Sequence, residues 1–66
     1  MTSESLMNAA FLHFKAVKAR AEANLEVYLK GYAGVAEHPD IVNEIIELTK
    51  QIVEADEAIK FLETKL

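Results

Sequence analysis

The sequence predicts an all-α fold: an antiparallel two-helix hairpin that assembles with copies of itself into a helical bundle. Three observations carry this. Ile41, Ile45, Leu48, Ile52, Ala55, Ile59, Leu62 and Leu66 recur in alternating steps of four and three residues, the spacing of a seam along which two helices lie side by side. Residues 3–30 contain neither Gly nor Pro, and the two glycines and single proline of the chain all fall within 31–39, where they punctuate two helical runs. The chain has 66 residues and no cysteine. It is one domain at most, and neither disulfides nor thiolate metal sites can stiffen it.

The first helix is expected over about 3–30. Thr2 or Ser3 supplies a hydroxyl to the open N–H groups at its start, and Glu4 suits the positive end of the helix dipole. Gly31 follows as the left-handed residue that closes many helices. A connection over 31–38, Gly-Tyr-Ala-Gly-Val-Ala-Glu-His, leads to a second helix over about 39–64. Pro39 fits the first helical position, which makes His38 the N-cap, an indifferent one; Asp40 caps the helix directly if it starts one turn later. Two helices of similar length with a short join fold back on each other.

On a wheel of 100° per residue, Met7, Phe11, Phe14, Val17, Ala21, Leu25 and Tyr28 share one face of the first helix, with Leu6, Ala10 and Leu29 inside the same arc. This face is expected to meet the Ile41–Leu66 seam. Lys18 lies inside the arc and is expected to run its stem outward to water. The opposite face carries Ala9, Leu12, Ala16, Ala19, Ala23 and Val27. A solvated face of a surface helix is normally polar, so these residues are candidates for an interface with a second copy. Alternatively, alanine stands there simply as the best helix former. On the second helix, Val42, Ile46 and Val53 widen the apolar arc beyond what one partner covers, and Phe61 points away from the seam. Ordering the chain costs more free energy than one two-helix seam returns in buried apolar area, so self-association is expected, giving a four-helix bundle in a dimer.

The formal charge is −4, which argues against nucleic-acid binding. Residues 1–30 sum to +1 and residues 31–66 to −5, which favours the two segments lying together. The start of the chain has no basic and apolar leader pattern, and no stretch is apolar enough to cross a membrane; a cytoplasmic protein is expected. Catalysis has little material. The hydroxyls are Thr2, Ser3, Ser5, Thr49 and Thr64, with His13 and His38 on different elements, and no nucleophile, histidine and orienting group suggest a triad. The histidines lack partners at metal-ligand spacing. We expect no enzyme, no metal and no cofactor. The pairs Asp56-Glu57 and Glu44/Glu47 read as charge on a hydrated face.

Two polar groupings remain as ligand candidates. His13, Arg20 and Asn24 flank the core face of the first helix; Arg20 suits a phosphate or carboxylate, unless it pairs with an acid of the second helix. Tyr32 and His38 lie in the connection, near the open N–H groups of a helix start, although Glu37 and Asp40 oppose an anion there.

The run Leu25-Glu26-Val27-Tyr28-Leu29, followed by Gly34-Val35-Ala36-Glu37-His38-Pro39-Asp40-Ile41, resembles short uncharacterised helical proteins encoded by tailed bacteriophages. In those proteins a Tyr-Leu helix end leads through a Gly-Val-Gly-Glu-His-Pro-Asp-Ile turn, with glycine where this chain has Ala36. The resemblance covers the central third and implies a phage-type accessory protein, acting through itself or a host protein, with no known activity. By analogy with small phage oligomers that sequester nucleotide signals, the alternative is a nucleotide-type ligand held between subunits.

The seam register is directly testable. Ile52→Asp places an unpaired charge between the helices and is expected to unfold the protein; a circular-dichroism melt superimposable on that of the parent chain would refute the register.

Overall fold

A computed structural model describes residues 2–31 and 40–66. The chain forms two helices, α1 (Ser3–Leu29) and α2 (Ile41–Glu63), packed on each other along their length. The molecule is a rod of 47 × 16 × 16 Å with a radius of gyration of 14.9 Å. A compact globule of this length would have a radius near ~11 Å. The helices therefore share one long contact rather than a central core.

Both helices begin and end at local chemical signals. The Thr2 hydroxyl accepts the Ser5 N–H at 3.0 Å, and Glu4 lies in the first turn of α1. At the other end the Lys30 N–H donates to the Glu26 carbonyl at 2.9 Å, and Gly31 adopts φ +67. That left-handed conformation suits glycine and takes the chain off the helix axis. Helix α2 starts at Ile41, with the Asp40 carboxylate accepting the Asn43 N–H at 2.9 Å. Asp40, rather than a residue before it, is thus the cap, and Glu44 adds negative charge to the first turn. His38 and Pro39 lie outside the described residues. Lys60 stands in the last turn of α2, and the Thr64 hydroxyl donates to the Phe61 carbonyl at 2.6 Å. Within α2 the Thr49 hydroxyl bonds back to the Ile45 carbonyl at 2.7 Å, which satisfies a polar side chain in mid-helix.

The predicted faces meet. Ala21 and Ala55 are 1% exposed and form the tightest part of the contact; Leu48, Ile59 and Leu62 are also buried. Met7, Ala10, Phe11, Phe14, Val17, Leu25, Tyr28, Ile41, Ile45 and Ile52 are half-buried along the same line. The small alanines let the backbones approach, and the larger side chains fill the space on either side.

Three apolar residues expected in this contact are outside it. Leu6 is 55% exposed, Leu29 69% and Leu66 48%. Leu66 lies past the end of α2, so the helical register no longer directs it inward. In an antiparallel pair Leu6 is level with the chain beyond Glu63, where α2 has ended. Leu29 is the last residue of α1 and sits well off the centre line of its arc. Among the described residues no helix is long and apolar enough to cross a membrane.

Candidate functional site

The two edges of the helix contact differ in chemistry. On one edge Lys18 Nζ lies 2.8 Å from Asp56 Oδ1, an ion pair that joins α1 to α2, with each side chain about one-third exposed (32%). Asp56 also accepts from Lys60, one turn further along α2, at 3.0 Å. The antiparallel stagger of the helices makes this possible: Lys18 and Asp56 both lie slightly to the same side of the seam centre. Two sequence expectations change here. Lys18 does not run out to water but ends on a carboxylate of the facing helix. Asp56 does not belong to the hydrated outer face; it is half-buried between two ammonium groups.

These contacts move both ionisations. The hydrogen bond from Lys18, then that from Lys60, holds the Asp56 carboxyl below the ordinary carboxylate range, against the smaller effect of desolvation. The hydrogen bond and charge of Asp56 raise Lys18 above its ordinary range. The remaining described ion pairs run within single helices: Lys30 with Glu26, and Lys50 with Glu47 at 3.7 Å. Such exposed pairs contribute little to stability.

The other edge holds a groove with no acidic residue in its lining. Val17, Arg20 and Asn24 of α1 and Leu48 and Gln51 of α2 line an open groove of about 370 Å³. Arg20 makes no ion pair among the described residues, so it is not the partner of an α2 acid. It lies on the edge away from Asp56, and the position that faces it across the seam is Gln51. The groove thus unites Arg20 and Asn24, two of the three residues in the predicted polar stripe. It does not include His13, two turns from Arg20 along α1; His13 is exposed, with its ring edge-on to that of Phe14 at 5.1 Å. Gln51 escaped the sequence reading. Its signal was its place on the α2 wheel, one step from the seam on the edge that an antiparallel partner turns toward Arg20. Tyr32 and His38 lie outside the described residues.

Chemically, the groove offers a guanidinium and two carboxamides over an apolar floor: donors for an anion or a carbonyl, and no general acid or base. Among the described residues no three His, Asp or Glu side chains converge as a metal site. The apolar candidates for self-association are on the surface. Leu12 is 56% exposed, Val42 68%, Ile46 47%, Val53 49% and Phe61 60%; Ala9, Ala16, Ala19 and Ala23 are also exposed, and Val27 is half-buried. No family model, curated protein or solved structure matches this chain.

The Lys18–Asp56 pair gives stability a defined pH dependence. The lowered Asp56 ionisation stabilises the fold above the unfolded carboxylate range, and this is lost as pH falls through the folded value. The raised Lys18 ionisation stabilises below the ordinary lysine value, and this is lost as pH rises through the folded one. Thermal melts should show a neutral plateau with both flanks falling, and Asp56→Asn should lower the plateau and flatten both. Parallel curves for the two proteins would remove the pair from the stability account.

Proposed function

We propose that the chain works as a homo-oligomer of helical hairpins, a non-enzymatic interaction or accessory protein whose working form is the assembly. The observation that supports this is the distribution of apolar surface. Only five hydrophobic residues are buried among those described, whereas Leu12, Val42, Ile46, Val53 and Phe61 are each at least 47% exposed. Single exposed apolar residues are ordinary, but five on so small a domain, four of them on α2, mark surface that association covers. A four-helix bundle of two hairpins is the simplest closed product. The reading as a phage-type accessory protein draws on the resemblance through residues 25–29 and 34–41 alone.

A second reading has one specific observation in its favour: Arg20 stands without an ion pair beside Asn24 and Gln51. An unpaired guanidinium with neighbouring amide donors suits the phosphate or carboxylate of a small ligand, held at the edge of the hairpin or between hairpins.

Light scattering over a dilution series tests the first reading. It should give a mass that is a multiple of 7.4 kDa; a folded single chain at nanomolar concentration would overturn it. The second reading predicts that one or more nucleotides raise the melting temperature, and that Arg20→Ala abolishes the shift. Unchanged melting across a panel of nucleotides would eliminate it.

A further inference from the structure

On the side of α1 away from α2, Leu12 is 56% exposed, and it is flanked by charges that form no ion pair. Lys15 and Glu22 make no ion pair among the described residues; the Lys15 ammonium rests only 5.7 Å over the Phe11 ring. They stand seven residues apart, two turns along one flank of this outer face. Both are exposed, as are Ala16, Ala19 and Ala23 between them or beside them.

We propose that this outer face of α1 is a twofold interface with α1 of a second copy, with the two helices antiparallel. The proposal rests on the homo-oligomer reading above and names the surface and geometry of that assembly. It follows from which neighbours each direction of packing would create. In a heptad frame with Ala9, Ala16 and Ala23 at the a positions, Leu12 and Ala19 are d, and Lys15 and Glu22 are g. Run antiparallel about a twofold axis between Ala16 and Ala19, Leu12 meets Ala23 of the second copy, Ala16 meets Ala19, and Ala23 meets Leu12. Across these layers each leucine faces an alanine, so the centre of the surface is complementary to itself, and the next layer out sets Ala9 against Glu26 of the second copy. The same register brings Lys15 beside Glu22 of the second copy, and Glu22 beside Lys15, so two otherwise unpaired charges are matched twice.

Parallel packing fails on both counts. It sets Leu12 against Leu12 and Ala23 against Ala23, a wide contact at one end and a loose one at the other. It also brings Lys15 against Arg20 of the second copy, a pair of like charges that opposes association. In the antiparallel arrangement Arg20 falls near His13 of the second copy instead, a juxtaposition that adds no attraction. Charge complementarity and size complementarity thus select one occupant and one direction. Alanine in the central layers brings the two backbones toward the short end of the ~8–10 Å range for packed helices.

Crosslinking tests the geometry. The chain has no cysteine of its own, and both positions to be changed are exposed in the hairpin. Leu12→Cys and Ala23→Cys proteins, checked for helicity by circular dichroism, are mildly oxidised separately and as an equal mixture. The mixture should form a covalent mixed dimer and neither protein alone should, because like positions lie about 16 Å apart along the antiparallel pair. Same-residue dimers in each separate sample would establish parallel packing and overturn the proposal. No crosslink in a sample that light scattering reports as dimeric would move the interface to another face, leaving the homo-oligomer reading intact; a monomer in light scattering would remove both. An independent arm keeps Leu12. Lys15→Glu or Glu22→Lys alone should weaken dimerisation roughly fivefold, and the double reversal should restore it. A double variant no tighter than either single one would refute the pairing.

Discussion

The contact between α1 and α2 is narrow, and the rest of the molecule depends on it. Ala21 and Ala55 are its most buried residues, and Leu48, Ile59 and Leu62 are the other buried side chains along it. Burial of this kind is worth about 25 cal/mol for each Å² of apolar surface, so a line one side chain wide returns much less than a layered core. The caps at Thr2 and Asp40 and the back-bonded Thr49 fix the helices locally. Only the seam holds them to each other and sets which residues form each edge of the hairpin.

The Lys18–Asp56 pair shows how a marginal seam gains specificity. Two helices with repeating apolar faces can slide by one turn and still bury similar surface. A charged pair that closes at 2.8 Å in one stagger would separate in another, leaving half-buried Lys18 without its carboxylate and Asp56 with Lys60 alone. One-third exposure keeps the desolvation cost low while still penalising the wrong register. The same stagger that joins Lys18 to Asp56 leaves Arg20 beside Gln51, so the structural edge and the candidate binding edge have one origin.

Much of this was legible in the sequence, for a simple reason. Helical periodicity is local, so the faces of Met7 to Tyr28 and of Ile41 to Leu62 follow from spacing alone, as do the helix breaks at Gly31 and before Ile41. What was not legible depends on the partner helix. Leu6, Leu29 and Leu66 satisfy the apolar pattern but sit where the facing helix has ended or their own has. The partner of Lys18, and the place of Gln51 in the groove, require the stagger of an antiparallel pair, which the wheel of either helix alone does not contain. The connection carries Tyr32 and His38, both outside the described residues, so that half of the candidate chemistry gains no geometry.

The hairpin also has a polarity as an object. Thr2, Glu4, Ser5 and Asn8 share a recess with Leu66, so the first and last described residues leave from one pole of a 47 Å rod. A fluorophore, surface anchor or fusion joined to either terminus is therefore carried at the same pole.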